Sequence, residues 1–424
     1  MGTEHLILGI LIFVLTYATI VSEKINRTVV AVFGAILMIL FQVVSQTTAL
    51  EHIDFNTLGL LIGMMIIVNI IKRTGLFQYL AVFMAKKAKG DPIKILLYFS
   101  IITAITSGLL DNVTTILLIV PVTIVVADSL KVNPIPFIIS EIMSANIGGA
   151  ATLIGDPPNI MIGSYTGLGF LDFVINLAPL MIVIFIINIL IIKFIYRKSL
   201  IVNVEERSKL MNLDPNKAIT DKKLLIKSLI VLFITITGFT LSEFLGLQSA
   251  TIALFGASML LLLCNIEPEE ILADVEWATI FFFGGLFILV GALDSIGVIS
   301  ILAEKMIAIT EGSVKMTSLI ILWLSAILSS FLDNIPYVAT MIPLVNKMEI
   351  LSSANFEPVW WALSIGACLG GNGTIVGASA NVVARGIVER HGKKLSFLSY
   401  MKVAYPLMIL SIGISMVYLL VFYL

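Results

Sequence analysis

The sequence is poor in the residues that form metal centres and disulfide frameworks. Its 424 residues include only three histidines and two cysteines. The histidines are scattered, and Cys264 and Cys368 lie in apolar or glycine-rich segments, so we expect neither a disulfide framework nor a metal-ligand cluster. The sequence also has no nucleophile–histidine–aspartate set and no Walker loop. We therefore expect no enzymatic activity, no ATP-driven pumping and no cofactor.

Charged residues are also scarce, at 12% of the chain, whereas soluble domains have about 25%. Apolar residues make up 59%, and apolar runs of about 20 residues, long enough to span a bilayer, recur from end to end. The net charge of −1 gives no indication of a nucleic-acid partner. The composition predicts an all-α, multi-pass integral membrane protein surrounded by membrane lipids.

An internal duplication becomes visible when 222 is added to the residue numbers. The pair Asp111–Asn112 recurs as Asp333–Asn334, and the glycines and asparagines of 148–159 recur in 370–381. Leu and Ile match trivially between membrane helices, but Asp, Asn, Gly and Pro do not. The chain is therefore predicted to contain two copies of one unit.

Each copy is predicted to contain five membrane crossings, a re-entrant hairpin centred on the Asp–Asn pair, and a broken transmembrane helix. The predicted segments are a first repeat at 1–195 with its hairpin at about 93–121 and its broken helix at about 136–163, a cytoplasmic linker at 196–223, and a second repeat at 224–424 with its hairpin at about 315–343 and its broken helix at about 356–384.

Five crossings per repeat require the second repeat to be inverted relative to the first. Lysine and arginine are concentrated in cytoplasmic loops. Residues 72–94 carry six of them against one aspartate, whereas the equivalent 294–316 carries two lysines against three acidic residues. This topology places 23 of the 26 basic residues inside, although the acidic loop 267–276 is also placed there. We expect the protein to lie in the cytoplasmic membrane with both termini on the outer side.

The hairpin motifs place two carboxylates within apolar segments. An aspartate at the centre of a membrane helix costs about 2.5–3.5 kcal/mol. Asp111 and Asp333 can serve as N-caps of the returning helices, but a serine or threonine would also cap without an ionisable charge. Capping and ion binding are compatible. We predict that Asp111, Asn112, Asp333 and Asn334 bind Na⁺, with Thr114 also at the site.

The two broken helices are recognised by glycine and proline, which cost about 1 and 3 kcal/mol in helix interiors. Such breaks expose carbonyl and side-chain oxygens, which suit hard cations such as Na⁺. Half-helix N-termini can instead hold an anion. Asp156, which has Ala378 as its counterpart, is either an asymmetric proton site or the residue that opens a proline turn. The candidate oxygen-bearing residues in the breaks are Asn146, Thr152, Asn159, Asn372, Thr374, Ser379 and Asn381.

These motifs resemble those of the ion transporter superfamily, with its citrate-transporter-like domain. The segment "LLDNVTTILLIVP" looks like the hairpin motif of NhaD-type sodium–proton antiporters and of the P-protein branch. "GGAATLIGDPPNIMIG" and "GACLGGNGTIVGASANVVARGI" are similar to the P-protein branch, which is grouped with arsenite permeases. The resemblance implies a homodimer that works by an elevator mechanism. It also implies a site framed by the two Asp–Asn pairs together with Gly155, Asn159, Gly377 and Asn381.

The motifs depart from those of dicarboxylate carriers, which typically carry Ser–Asn–Thr at the hairpin tips. Here both tips carry aspartate. The hairpin motifs at 107–115 and 329–337 and the break motifs at 146–159 and 369–381 contain no Lys or Arg. Two negative charges at low effective dielectric repel a dianion. We therefore expect a secondary active transporter that exchanges Na⁺ for H⁺. Arsenite or antimonite efflux coupled to H⁺ is the alternative, and a Na⁺-coupled dicarboxylate carrier is the third.

Overall fold

The computed structural model describes residues 3–22, 24–202, 206–207, 211, 214–264 and 266–424. Regular structure within these residues is helical, without strands, and includes a short 3₁₀ helix at Pro215–Ala218. Nine of the described helices are long and apolar enough to cross a membrane. The predicted all-α, polytopic fold class is confirmed.

The helices of the second half repeat the spacing of those of the first. The first half contains α1 (Thr3–Ser22), α2 (Arg27–Leu40), α3 (Gln46–Glu51), α4 (Phe55–Arg73), α5 (Leu76–Lys87), α6 (Pro92–Leu109), α7 (Asn112–Ser129), α8 (Ile135–Gly149), α9 (Pro157–Thr166) and α10 (Phe170–Tyr196). The second half contains α11 (Lys222–Thr240), α12 (Ser242–Leu245), α13 (Ser249–Leu263), α14 (Pro268–Ala273), α15 (Trp277–Ser295), α16 (Val298–Thr310), α17 (Val314–Phe331), α18 (Asn334–Ser352), α19 (Glu357–Gly370), α20 (Ser379–Arg390) and α21 (Phe397–Phe422). Helices α13–α20 each begin 222 residues after their counterparts α2–α9, as Asn112 and Asn334 illustrate.

Capping side chains explain where several of these helices begin. Asp54, Asp91 and Asp111 precede α4, α6 and α7, and each accepts hydrogen bonds from backbone N–H groups of the first turn. Ser313 and Asp333 do the same for α17 and α18. Such caps satisfy N–H groups that lack an intrahelical partner. Both hairpin aspartates therefore act as caps, whatever else they bind.

Helices from the two halves pack against each other in a reciprocal pattern. Helix α2 packs on α15 and α4 packs on α13, so each half contributes equivalent helices to a central group. The first hairpin (α6–α7) packs on the first broken helix (α8–α9), and the second hairpin (α17–α18) packs on the second broken helix (α19–α20). In addition, α9 packs on α18 and α20 packs on α7. These crossed contacts bring the interruptions of the two broken helices together.

The interruptions lie inside the protein. Residues 136–149 of α8 and 358–370 of α19 are buried throughout. They lead into irregular backbone at 150–156, the first break, and 371–378, the second break. Non-helical backbone at membrane depth is tolerated where it is buried in protein or lines a cavity. Both interruptions meet this condition, because they are enclosed by the protein.

The returning arm of each hairpin continues past an internal proline. Helix α7 continues to Ser129 and α18 to Ser352, past Pro121 and Pro343, which lie inside these helices. A proline removes one backbone donor, and neighbouring helices can compensate for this in a membrane bundle. Each arm has 18 or 19 residues. At 1.5 Å per residue each arm is about 27 Å long.

Candidate functional site

Two glycines allow the breaks to contact the hairpins closely. A Cβ atom on Gly155 would lie 2.7 Å from the carbonyl oxygen of Ser107 in the first hairpin. A Cβ atom on Gly377 would lie 2.8 Å from the carbonyl oxygen of Ser329 in the second hairpin. Only glycine fits where two backbones approach this closely. Gly155 and Gly377 are thus packing residues that hold the hairpin tips (residues 110–112 and 332–334) against the breaks.

Equivalent amides brace the two breaks. The side-chain nitrogen of Asn159 donates to the carbonyl of Thr152 at 2.9 Å, and that of Asn381 donates to the carbonyl of Thr374 at 2.8 Å. All four residues are buried. Hydrogen bonds of this kind satisfy carbonyls that the helix interruption leaves without a partner. Both asparagines were predicted site residues, and here they stabilise the irregular backbone.

Threonine hydroxyls join each break to its hairpin. Thr152 donates to the carbonyl of Gly108 at 2.6 Å, and Thr374 donates to the carbonyl of Ser330 at 2.5 Å. The backbone N–H of Gly155 donates in turn to the hydroxyl oxygen of Thr152 at 3.1 Å. Hairpin and broken helix are therefore connected by equivalent bonds in both halves.

A buried cluster of amides connects the halves. The nitrogen of the Asn146 side chain donates to the side-chain oxygens of Asn372 and Asn381, both at 3.0 Å. Its oxygen accepts from the amide of Asn112 at 3.2 Å. The oxygen of the Asn112 side chain is buried and has no hydrogen-bond partner within the described part of the chain. Four predicted site residues thus meet, and one offers an unused acceptor.

Asp156 lies at the first break and is completely buried. Its carboxylate oxygens accept from the amide nitrogen of Asn334 at 3.2 and 3.4 Å. Although Asp156 precedes α9, its side chain makes no capping bond to that helix. Its counterpart Ala378 has nearly the same backbone angles, φ −148° and ψ 146° against −144° and 132°. The turn therefore does not require a carboxylate.

A cavity of about 1070 Å³ is lined by both hairpin aspartates, Asp111 and Asp333. Its lining extends to residues 24–27 and 275–277, where Ile25 and Trp277 are exposed. The cavity is therefore open on the side of these loops. Of the predicted site residues, Asp111, Asp333 and Ser379 belong to its wall. Its charged lining residues are Lys24, Arg27, Asp111, Glu276 and Asp333.

The two hairpin aspartates differ in their partners. Asp333 forms a salt bridge with the guanidinium of Arg27 and accepts a bond of 2.7 Å from the hydroxyl of Ser379. Asp111 accepts a capping bond of 2.7 Å from the backbone N–H of Thr114. Among the described residues, no cationic side chain forms a salt bridge with Asp111. One tip is thus neutralised by the protein and the other is not.

The motifs alone did not reveal three of these contacts. Arg27 lies outside all four motifs, and nothing in its local sequence links it to Asp333. Ser364 and Cys368 donate to the side-chain oxygen of Asn159 at 2.6 and 3.5 Å. Cys368 occupies the position equivalent to Asn146 at the offset of 222. This equivalence with a predicted site residue is the sequence feature that could have indicated a polar contact for Cys368.

Comparison with known proteins places this arrangement among membrane transporters. A family model described as a citrate transporter matches residues 17–366. An uncharacterized transporter of Mycobacterium tuberculosis (strain H37Rv) is 41% identical over 419 residues, covering 97% of both chains. A 46 kDa membrane protein of Mycobacterium leprae is 38% identical, covering 97% of this chain and 98% of that protein. The P protein of Homo sapiens is 33% identical, covering 96% of this chain but 58% of its own length.

A solved structure shares the architecture. The crystal structure of the Alcanivorax borkumensis YdaH transporter, described as having an unusual topology, aligns with a TM-score of 0.62. The alignment covers 98% of each chain at 13% sequence identity. At this identity the similarity concerns the fold.

Proposed function

Because this chain belongs to the citrate transporter family of membrane transporters, we propose that it is a secondary active transporter that exchanges Na⁺ for H⁺. The observation that carries the proposal is Asp111, a carboxylate on the cavity wall without a cationic partner among the described residues. An unpaired carboxylate at low dielectric is costly unless it is protonated or bound to a cation. Alternation between these two forms is ion exchange.

The neighbouring amide supports Na⁺ as the cation. The Asn112 side-chain oxygen is buried without a hydrogen-bond partner within the described residues. A hard cation favours such oxygens as ligands. In the proposed exchange Na⁺ binds the Asp111 carboxylate, and the oxygen of the adjoining Asn112 is a candidate further ligand. The second tip, Asp333 and Asn334, was also predicted to bind Na⁺, but the Asp333 carboxylate is already paired with Arg27.

We propose that alternating access is an elevator motion. The hairpins and broken helices pack mainly on each other, while α2, α4, α13 and α15 pack as a separate group. The first group is suited to move as a body against the second, which we assign as the scaffold of a homodimer. Light scattering of the purified protein in detergent tests the dimer: we expect the mass of two chains, and a single chain would contradict it.

We also propose a position in the cytoplasmic membrane with both termini outside. The cavity then opens to the cytoplasm, because residues 24–27 and 275–277 lie on the predicted inner side. Support comes from Arg73, which forms salt bridges with Glu270 and Asp274. These bonds provide a structural role for the acidic loop 267–276. Its predicted cytoplasmic position is otherwise unusual, because cytoplasmic loops are typically rich in lysine and arginine.

A small organic anion coupled to Na⁺ is the second candidate. Arg27 and Lys24 line the cavity, so it contains the positive charge that the motifs lack. Its volume of about 1070 Å³ reaches the upper end of small-molecule sites, which range over about 300–1,000 Å³. The family description, citrate transporter, agrees with this candidate.

Proteoliposomes with an internal pH-sensitive dye distinguish these functions. Pulses of Na⁺, Li⁺, K⁺, arsenite, antimonite and citrate are compared at equal ionic strength in vesicles with and without protein. We expect Na⁺ to drive proton movement, and arsenite, antimonite and citrate to produce none. Proton movement with citrate or arsenite, but not with Na⁺, would overturn the proposed exchange.

A further inference from the structure

The second hairpin tip is already occupied by a positive charge from the protein. A single guanidinium nitrogen of Arg27 donates both to the Asp333 carboxylate and, at 2.8 Å, to the hydroxyl of Ser379. Ser379 donates to the same Asp333 oxygen at 2.7 Å. The other Asp333 oxygen accepts from the backbone N–H of Ile335 at 3.1 Å. Both carboxylate oxygens are therefore engaged without a bound ion.

Arg27 is held in place from outside the hairpin. Its guanidinium carbon lies 4.9 Å from the ring centre of Phe282, within the range of a cation–π contact. The next residue, Thr28, donates to the carbonyl of Ala278 at 2.9 Å, which fixes the start of α2 against α15. Arg27 thus belongs to the central helix group and reaches across to the tip of the second hairpin.

Within the described part of the chain, the first hairpin has no equivalent of this contact. At the offset of 222, Arg27 corresponds to Ser249 and Ser379 corresponds to Pro157. Asp111 has no salt bridge among the described residues. Two carboxylates that are equivalent by duplication thus have different charge partners.

A bidentate-capable, permanently charged guanidinium is an effective partner for a carboxylate in a partly desolvated site. The side chains of Arg27 and Asp333 are 34% and 15% exposed, so water screens this pair incompletely. Na⁺ that approached Asp333 would have to displace Arg27 and leave its charge uncompensated beside the cavity. Removing one partner from such a pair leaves the other charge unpaired, which is costly.

We propose that Arg27 is a built-in cation that fills the Asp333 site, so that Na⁺ binds at Asp111 and is excluded from Asp333 in this conformation. This inference rests on the proposed Na⁺/H⁺ exchange and specifies that each chain has one Na⁺ site in this conformation. Arg27 is then a specificity-determining residue, because it converts two equivalent carboxylates into one ion site.

The test measures Na⁺ binding by thermal unfolding of the purified full-length protein in detergent. A ligand that binds the folded state raises the midpoint of unfolding. The midpoint is measured in Na⁺ and in choline, and the difference is the Na⁺-induced shift. We then compare how much of this shift Asp333→Asn removes in the presence and in the absence of Arg27. With Arg27 present we expect Asp333→Asn to remove none of it. With Arg27→Gln we expect a larger Na⁺ shift, and Asp333→Asn should remove the increment.

Controls separate charge from general damage. Arg385→Gln is a matched change, because Arg385 forms an exposed pair with Glu389, and it should give the wild-type result. Arg27→Lys keeps the positive charge and should also leave Asp333 without Na⁺. If Arg27→Gln yields little folded protein, Arg27→Ala replaces it. The inference is overturned if Asp333→Asn reduces the Na⁺-induced shift equally with and without Arg27→Gln. It is also overturned if Asp333→Asn reduces the shift in neither case.

Transport gives an independent reading. The Hill coefficient for Na⁺ cannot exceed the number of coupled sites, so we expect a higher value for Arg27→Gln, which has two sites per chain, than for wild type, which has one site per chain. Absence of Na⁺-driven proton movement in wild type would refute the proposed exchange. If an active Arg27→Gln variant keeps the wild-type Hill coefficient, the proposed role of Arg27 is refuted but the proposed Na⁺/H⁺ exchange is not.

Discussion

The amide of Asn334 donates to both carboxylate oxygens of Asp156, at 3.2 and 3.4 Å. Asn334 belongs to the tip of the second hairpin, and Asp156 ends the break of the first broken helix. The bond therefore joins the two halves of the chain at their interrupted segments. On the other side of the same region, Asn146 bonds to Asn381 at 3.0 Å. Movement of the second hairpin tip relative to the first break must change the contact between Asn334 and Asp156.

Asp156→Asn should impair transport without preventing folding. The equivalent turn forms with Ala378, so the fold does not depend on a carboxylate at this position. An amide can still accept a bond from Asn334 but cannot exchange a proton or neutralise Na⁺. We expect the exchange rate to fall by at least about tenfold, the equivalent of about 1.4 kcal/mol. Proteoliposome transport and the midpoint of unfolding are measured together; unchanged transport would reduce Asp156 to a turn residue.

Asp111→Asn should separate the capping role from the ionic one. Asn and Asp are nearly equal N-caps, so the midpoint of unfolding should shift by no more than a few degrees. Exchange should be abolished because the carboxylate is lost. Asp91→Asn is the matched control, since Asp91 caps the other arm of the same hairpin. Equal transport in the two variants would indicate that Asp111 is only a cap.

Gly155→Ala should destabilise the protein. The added Cβ would lie 2.6 Å from the Gly149 carbonyl oxygen and 2.7 Å from that of Ser107. Overpacking of this kind costs about 1–3 kcal/mol. Gly413→Ala is the control, because a Cβ there meets no atom within 4 Å among the described residues. Thermal unfolding should show a lower midpoint for Gly155→Ala alone, and similar midpoints for both would contradict the close approach.

Cysteine labelling should establish the orientation of the protein. Single cysteines replace Lys305 and Lys315 on the predicted outer side, and Lys222 and Lys394 on the predicted inner side, in a background with Cys264 and Cys368 replaced by serine. All four lysines are exposed. A membrane-impermeant maleimide added to intact cells should label the first two positions, and the other two only after lysis. The reverse pattern would require both termini inside.

Sequence reasoning located the breaks and the hairpin tips because glycine, proline, aspartate and asparagine interrupt apolar helices and match between the halves. In the structure, α13–α20 begin 222 residues after α2–α9, which is the same offset. The salt bridge between Arg27 and Asp333 was not predictable, because it joins residues 306 positions apart and the described residues of the other half contain no counterpart. Pro121 and Pro343 do not end α7 and α18, which continue to Ser129 and Ser352, because packing in a membrane bundle tolerates an internal proline.

The most direct test of the central claim measures uptake of radioactive sodium into proteoliposomes at several pH values. If Na⁺ and H⁺ alternate at the Asp111 carboxylate, protons compete with Na⁺. The apparent KM for Na⁺ should then rise by up to about tenfold for each unit of decreasing pH, with the limiting rate less affected. Asp111→Asn should show no uptake above protein-free vesicles. A pH-independent KM, or undiminished uptake by Asp111→Asn, would contradict exchange at this carboxylate.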